Sequence, residues 1–338
     1  MASGAGEKPA GGEPDAIGSG TANAGRRSCG RAQPVSDGGK MSGSAGRDAG
    51  QVAGGRLIEC CPVGCSDTLA ETTIVLPEGP LRRCLACGQL VSQITATAYA
   101  GSMKEFDTPR GTLPTPRTQR RHDARAAKLF GKVKALIRPE SGTGARLLDI
   151  GCSSGALLRS AMTHGFDAEG VEPAAQAAEF AKSTELKVFH GYLEEARFPA
   201  SSFDGVTLME VIEHLPDPTA LLREVWRVLK PNGVLVVGTG NGASWTVRLV
   251  GARWGYFQVA EHGGHISFFN PMSLAALAQR CGFDVERSET RRVSLVEPHE
   301  AGWVTYRMLK VVAEVLAMPA RLFGRGHDML VFLRKSSR

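Results

Sequence analysis

Short apolar runs alternate with amphipathic helical patterns through residues 141–338. An apolar run of strand length at 147–150 leads into a turn that contains Gly151 and Gly155, and a helical pattern begins directly after it. Further strand-length runs occupy 166–172, 203–209, 230–238 and 328–334, while residues 221–229 have helical spacing. Strands that alternate with helices are typical of an α/β domain. We therefore predict that residues 141–338 form one such domain.

The turn at 151–155 has the features of a nucleotide-cofactor site. Glycines allow a sharp turn and a close approach to a ligand, and the N–H groups of the helix that begins near Ser154 face the same space. A dinucleotide site would have the order G-x-G-x-x-G, but here the order is Asp149-x-Gly-x-Ser-x-Gly. The acid suits a cofactor with an ammonium group. Glu172 ends the next strand, at the spacing of about 20 residues from which an acid binds ribose hydroxyls.

The turn resembles the first motif of class I methyltransferases that use S-adenosylmethionine, with Ser153 at a position where that family often has glycine. Later segments occur in the family's order, and the loop at 190–195 is similar to the loop that contacts adenine. The resemblance implies a doubly wound, Rossmann-like, seven-stranded sheet with helices on both faces. The cofactor-binding residues that it implies are Asp149, Gly151, Ser153, Gly155, Glu172, Leu193, Glu194 and Met209.

Polar residues follow the strand at 203–209, where open α/β sheets gather their reactive groups. If a helical turn begins at Glu210, Glu213 and His214 share its face, because they lie three and four residues further on. Two carboxylates and an imidazole are suitable ligands for a hard or borderline divalent cation. A glycine-containing loop that carries His262 and His265 could return over the same pocket.

The Glu-x-x-Glu-His element resembles the metal-binding motif of ubiquinone-pathway O-methyltransferases and of small-RNA 2′-O-methyltransferases. The resemblance implies Mg²⁺ or another divalent cation, held by Glu210, Glu213, His214 and His265. The cation would activate and orient an acceptor hydroxyl, with His214 and His262 as catalytic residues. Two alternatives stay open: a Glu–His contact that only holds the loop, with His262 or His265 as a metal-free base, or no catalytic role.

Five of the eight cysteines lie close together, at Cys60, Cys61, Cys65, Cys84 and Cys87. The pair Cys84 and Cys87 forms a knuckle in which Gly88 lets the backbone fold around a tetrahedral ion, and Cys61 and Cys65 supply the opposite pair. The segment resembles small zinc ribbons that precede some bacterial methyltransferases. We predict a ribbon at 58–92 with zinc on Cys61, Cys65, Cys84 and Cys87. Whether Cys60 or Cys61 binds stays open, and a metal-free loop or a redox pair is the alternative.

Residues 1–57 are rich in Gly, Ala and Ser and lack spaced apolar residues, which predicts a disordered tail. A linker with a basic helix is predicted at 93–140. No apolar run is long enough to span a bilayer and no secretory signal is recognisable, so we predict a cytoplasmic protein.

Two basic segments bear on partners, within a net charge of +6. The helix near 117–134 carries seven cations, which predicts a solvated face or, as the alternative, an acidic partner such as nucleic acid or a lipid headgroup. Residues 303–325 mix apolar and basic positions. Core or lid packing and peripheral membrane contact are both consistent with that mixture.

These observations predict a methyltransferase that acts on a hydroxyl of a small molecule such as a sugar, a quinone-like phenol or a glycolipid precursor. The aromatic residues Trp245, Trp254, Tyr256 and Phe257 form either an acceptor wall or a packed lid. An RNA methyltransferase is the alternative within enzymes. A protein that binds the cofactor without catalysis is the alternative outside them.

Overall fold

Two β-sheets organise the chain in the computed structural model, which describes residues 55–104, 115–137, 144–257, 264–296 and 302–337. In chain order the strands are β1 (Ala70–Leu76), β2 (Gly79–Arg83), β3 (Leu90–Val91), β4 (Arg146–Ile150), β5 (Asp167–Glu172), β6 (Val188–His190), β7 (Phe203–Met209), β8 (Leu229–Gly240), β9 (Ser267–Phe268), β10 (Phe283–Arg291) and β11 (Asp328–Lys335). The large sheet has the order β10-β11-β8-β7-β4-β5-β6, and the small sheet has the order β1-β2-β3-β9.

Helices cover both faces of the large sheet. In chain order the helices are α1 (Ala96–Lys104), α2 (Pro116–Leu136), α3 (Ala156–Thr163), α4 (Ala175–Ser183), α5 (Leu193–Ala196), α6 (Pro218–Val228), α7 (Trp245–Val250), α8 (Pro271–Arg280) and α9 (Trp303–Leu322). Of these, α1 and α7 contribute to the core of the small sheet. One core joins Leu148 of β4 to α6 and α8, and a second core joins Leu147 to α2, α3 and α4. Successive strand residues point to opposite faces, so a strand covered on both sides is apolar throughout.

The direction of the strands places the reactive edge of the sheet. Strands β4 to β8 are parallel, whereas β11 is antiparallel to both β8 and β10. The carboxyl ends of the parallel strands therefore meet at one edge, which is where ligands bind in open α/β sheets. The glycine turn, Glu172 and the turn after β7 all lie at this edge.

The small sheet is continuous with the segment that precedes α8. Leu90 and Val91 of β3 pair with Phe268 and Ser267 of β9. The Asn270 side chain, which also caps α8, donates to the carbonyl of Cys87 over 3.1 Å. The cysteine-bearing turns before β1 and between β2 and β3 thus pack directly against the large domain, and they share a buried core with Phe269, Leu274 and Leu277.

The prediction of a doubly wound seven-stranded α/β sheet with helices on both faces is confirmed. The predicted tail lies outside the described residues as far as residue 54. Its last part is structured, because Arg56 bridges Thr95 and the Leu57 N–H donates to the Ile94 carbonyl. Among the described residues, no helix has the length and apolar character needed to cross a bilayer.

Candidate active site

The turn between β4 and α3 adopts the backbone conformation that its glycines predict. Gly151, Ser153 and Gly155 all have positive φ, at 70°, 47° and 79°. A Cβ on Gly151 would lie 2.5 Å from Cγ2 of Val211, and a Cβ on Gly155 would overlap the Leu186 side chain. Glycine is therefore required at both positions, for its conformation and for the close approach of neighbours.

We expect Gly155→Ala to destabilise the protein more than Gly165→Ala. Both glycines have positive φ, at 79° and 87°, but a Cβ on Gly165 meets no atom within 4 Å. The two variants therefore share the backbone strain, and Gly155→Ala adds an overpacking penalty of roughly 1–3 kcal/mol. Denaturant unfolding of both variants measures the difference, and equal free energies of unfolding would contradict the steric account.

Asp149 is fully enclosed at the end of β4. Its Oδ1 accepts a hydrogen bond from Thr207 Oγ1 over 2.6 Å, while its Oδ2 has no hydrogen-bond partner among the described residues. Burial raises the pKa of Asp149 to about 7, the Thr207 hydroxyl lowers it, and the nearby Glu172 raises it further. An unpartnered carboxylate oxygen in a dry site is a ready acceptor for a cationic ligand.

Glu172 holds the turn closed. Its Oε2 accepts from the Ser153 N–H over 2.7 Å, and its Oε1 accepts from the Ala174 N–H over 2.8 Å. Burial raises the pKa of this carboxyl, and the two backbone donors lower it. Both oxygens therefore already accept hydrogen bonds from backbone N–H groups, so recognition of ribose hydroxyls would use their remaining lone pairs.

The other predicted cofactor residues differ in exposure. Leu193 is 2% exposed and belongs to the core beside Leu148, so only its backbone is available to a ligand. Glu194 is exposed in the first turn of α5. Met209 is half-buried at the end of β7, opposite Gly238 of β8.

A buried carboxylate and two imidazoles meet beside Met209. Ligand atoms of Glu213, His214 and His265 all lie within 4.8 Å of one another. Glu213 is 1% exposed, and neither of its carboxylate oxygens has a hydrogen-bond partner among the described residues. Burial raises the pKa of Glu213, and the neighbouring His214 lowers it.

Glu210 borders this group, but the ligand atoms that lie within 4.8 Å of one another are those of Glu213, His214 and His265, so the place of Glu210 in the expected four-residue set stays a prediction. The φ of Glu210 is +58° and its N–H donates to the Gly238 carbonyl over 2.8 Å. The helical turn therefore begins at Ile212 and is a short 3₁₀ turn over Ile212–His214. Glu210 precedes that turn, and its carboxyl interacts with that of Glu213: burial and the neighbouring Glu213 raise the pKa of Glu210 well above its ordinary value.

Backbone contacts from the small sheet and from α1 hold the two histidines in place. The Ile266 N–H donates to the Glu213 carbonyl over 2.9 Å, and the Ser92 N–H donates to the Ile266 carbonyl over 3.0 Å. The Tyr99 hydroxyl donates to the His214 carbonyl over 2.7 Å. Sequence reasoning missed Tyr99 because it lies in a segment interpreted as a linker. It also missed Thr207, whose signal is a lone hydroxyl within an apolar strand.

The aromatic residues are mostly packed. Trp254 and Phe257 are 2% and 1% exposed and lie in a core with Leu90 and Phe268. Tyr256 stacks on His265, with ring centroids 4.7 Å apart. The packed-lid interpretation therefore describes Trp254 and Phe257, whereas Tyr256 touches the histidine group. His262, predicted as catalytic, lies outside the described residues.

The four predicted zinc ligands converge at the base of the small sheet. Cys61 Sγ lies 3.4 Å from Cys65 Sγ and 3.6 Å from Cys87 Sγ, and Cys65 Sγ lies 3.4 Å from Cys84 Sγ. All four sulfur atoms lie within 4.8 Å of one another. The group contains Cys61 and not Cys60. Four convergent thiols are the ligand set of a closed structural zinc site.

Comparison with known proteins identifies the family to which the chain is similar. Residues 119–288 match the methyltransferase domain family. A ubiquinone biosynthesis O-methyltransferase from Xanthomonas axonopodis pv. citri (strain 306) is 34% identical over 165 residues, which cover 46% of this chain and 67% of that protein. A protein of the same name from Azorhizobium caulinodans is 31% identical over 166 residues, which cover 46% of this chain and 64% of that protein.

The chain therefore belongs to the methyltransferase domain family and is a class I S-adenosylmethionine-dependent methyltransferase. This confirms the interpretation as an enzyme. Among solved structures, the chain is similar to a SAM-dependent methyltransferase from Archaeoglobus fulgidus, with a TM-score of 0.46 and 20% identity over 63% of this chain and 94% of that one.

Proposed function

We propose that the enzyme transfers a methyl group to a hydroxyl oxygen of a small molecule, and that Glu213, His214 and His265 act at the acceptor side. The observation that carries the proposal is the buried Glu213 carboxylate, which has no hydrogen-bond partner among the described residues and lies within 4.8 Å of two imidazoles. A buried carboxylate needs a proton, a cation or donors from a ligand. The ubiquinone O-methyltransferases to which the chain is similar support an oxygen acceptor.

The residues of the glycine turn suit the cofactor. Asp149 provides an unpartnered carboxylate oxygen, Gly151 and Gly155 keep the turn tight, and Glu172 ends the next strand. When bound, S-adenosylmethionine supplies an electrophilic methyl group. The protein itself binds and orients the reactants and removes the proton of the acceptor hydroxyl.

The donor set suits a borderline divalent cation. Two imidazoles and one carboxylate are ligands typical of Zn²⁺, Mn²⁺ or Fe²⁺, whereas Mg²⁺ prefers oxygen ligands. Among the three residues whose ligand atoms converge, Glu213 supplies the single carboxylate. A bound cation would supply Lewis acidity, which lowers the pKa of a hydroxyl. We therefore propose that Glu213, His214 and His265 hold such a cation and that Mg²⁺ is the poorer fit.

A metal-free base is the second candidate, and one contact favours it. The Nδ1–H of His265 donates to the Tyr256 carbonyl over 3.0 Å, which makes Nε2 the basic nitrogen of that ring. An imidazole oriented in this way is suited to removing a proton from a hydroxyl. The same tautomer also suits metal ligation, so the two candidates differ in their need for a cation.

Glu213→Gln is expected to lower kcat by about 100-fold, within the range of a lost acid–base or metal contribution. The assay is transfer of radiolabelled methyl from the cofactor to a panel of sugars, phenols and glycolipid precursors. Glu71→Gln is the matched control, because it makes the same change in an exposed residue of β1 outside the group. We expect it to retain activity within about threefold, since exposed substitutions usually have small effects.

Removal of metal separates the two candidates. If a cation is required, chelation that leaves the proposed cysteine-bound zinc in place, as checked by metal analysis, abolishes transfer, and added Mn²⁺ or Zn²⁺ restores it better than Mg²⁺. Full activity after thorough removal of metal, with loss in Glu213→Gln, would support the metal-free base. Equal activity of Glu213→Gln and Glu71→Gln would reject a role for the group in either form.

We also propose that Cys61, Cys65, Cys84 and Cys87 bind a structural zinc ion. Their four sulfur atoms converge within 4.8 Å, and three of the four residues are buried. The segment from β1 to β3 is short, so its own apolar core is small. A metal is a common means of stabilising such a small unit.

A further inference from the structure

Helix α9 (Trp303–Leu322) presents three different faces. A narrow face contacts the domain through the buried Ala313 and Ala320, which pack with Val293 and the half-buried Trp245. A second face carries the ionisable residues. The third face is apolar, and it is exposed.

The exposed apolar face follows a helical stripe along the whole of α9. Its members occur at steps of four and three residues, so they lie on one side of the helix. Each of them is between 61% and 76% exposed: Val304, Met308, Val311, Val315, Met318 and Leu322. Trp303 and Phe323 are 72% and 71% exposed at the two ends of the stripe. A contiguous apolar surface of this length marks an interaction site.

Cations border this stripe on one side. Arg307, Lys310 and Arg321 are exposed, and by helical spacing they lie on the flank next to the apolar side chains. Glu314 is the one acidic residue within the helix. The Arg307 guanidinium lies 5.4 Å from the centre of the Trp303 ring. An apolar face with a basic edge and aromatic residues at its ends is the pattern of a helix that lies in the surface of a membrane.

The position of α9 connects it to the reactive edge of the sheet. Phe323 packs against Trp245, with ring centroids 6.4 Å apart. The backbone N–H of Trp245 donates to the Arg325 carbonyl over 2.9 Å. Trp245 begins α7, which follows the carboxyl end of β8. The carboxyl-terminal end of α9 therefore lies near the carboxyl end of β8, at the reactive edge of the sheet.

We propose that α9 docks the enzyme on the surface of an anionic phospholipid bilayer. The apolar stripe enters the boundary between headgroups and acyl chains, and the three flanking cations contact phosphate groups. Charge complementarity favours this occupant. In a symmetric pairing of two copies through the same stripe, the excess cations of one α9 would lie close to those of the other and repel them.

The first test compares binding of the full chain to vesicles of equimolar phosphatidylcholine and phosphatidylglycerol by co-sedimentation. The double variant Val315→Glu with Leu322→Glu is expected to bind roughly 100-fold more weakly, since each apolar side chain contributes about a tenfold factor. The matched control is Val75→Glu with Met272→Glu, at exposed apolar positions that are 63% and 60% exposed on other elements. The control should bind as the unchanged protein does.

The second test concerns the cations. Arg307→Glu with Lys310→Glu should weaken binding more than Lys128→Glu with Lys134→Glu, which reverses two exposed lysines of α2. Binding of the unchanged protein should also fall with added salt and be weaker on pure phosphatidylcholine vesicles.

Three results would overturn the proposal. One is failure of the unchanged chain to bind anionic vesicles, and another is equal binding by the α9 variant and its control. The third is a dimer in vesicle-free solution that Val315→Glu with Leu322→Glu converts to a monomer, which would assign the stripe to a second copy.

Discussion

Asp149→Asn is expected to weaken binding of S-adenosylmethionine by about 100-fold near neutral pH, since loss of one partner of a buried charge pair costs roughly 2–5 kcal/mol. The substitution keeps the size of the side chain and an oxygen that can accept from Thr207, and it removes the charge. Isothermal titration calorimetry with the cofactor measures the effect without any acceptor.

The pH dependence gives this prediction a second readout. The pKa of Asp149 is raised to about 7, chiefly by burial, so the carboxyl gains its charge as the pH rises towards neutrality. Affinity of the unchanged protein for the cofactor should therefore increase between about pH 6 and 8, one unit on either side of the raised value. The pKa of Glu172 is also raised, but both proteins contain Glu172, so their difference reports Asp149.

The same shift has the opposite sign for stability of the unliganded protein. Because the folded pKa exceeds the ordinary value of 3.8, the stability that protonated Asp149 contributes is lost as the pH rises through about 7. Asp149→Asn should therefore be at least as stable as the unchanged protein above neutral pH. Weak binding by a stable variant would assign the loss to the site. Affinity within about twofold of the unchanged protein would contradict the role of Asp149.

Cys84→Ser is expected to release the proposed zinc and to lower kcat by roughly 10- to 100-fold, because a displacement of about 1 Å in an active site can cost 100-fold. The effect reaches the active site through backbone pairing. Cys84 precedes β3, β3 pairs with β9, and His265 lies two residues before β9. Loss of the metal should loosen β3 and therefore the position of His265.

Three measurements distinguish this chain of contacts from general unfolding. Metal analysis should find less zinc in Cys84→Ser, hydrogen exchange should be faster at Ser267 and Phe268, and cofactor affinity should stay within about threefold. Cys281→Ser is the matched control, because Cys281 is a buried cysteine outside the four-sulfur group. Full activity of a zinc-free protein would contradict the connection.

Much of the large domain could be predicted from sequence because its signals are local. The run at 147–150, the glycines after it and Glu172 all lie close together in the chain, and each is where the sequence predicts it. The strand boundaries at 203–209 agree as well. Such features depend on backbone geometry and burial of neighbouring residues, which short patterns record.

The features that sequence analysis missed depend on distant contacts. Strands β3 and β9 have two residues each, so neither has a detectable pattern, and their pairing joins remote parts of the chain. The hydrogen bond from the Tyr99 hydroxyl to the His214 carbonyl likewise joins residues that are far apart in the chain. The left-handed backbone of Glu210 accompanies a hydrogen bond from its N–H to the Gly238 carbonyl of β8, a distant contact that no local pattern records. The helical turn consequently begins at Ile212 rather than at Glu210. For α9, sequence analysis left packing and membrane contact both open, because which apolar face is covered depends on the fold around the helix.

The pairing of β3 with β9 also sets an order in which the protein can be assembled. The four cysteines leave the ribosome early and within one short stretch, so a ribbon that holds the proposed zinc can form while the rest of the chain is still being made. Its third strand then presents an unpaired edge until residues 267–268 emerge, after β4 to β8. The edge of β3 is therefore available for pairing before β9 has been synthesised. Closure of the small sheet takes place only once the parallel part of the large sheet has been synthesised.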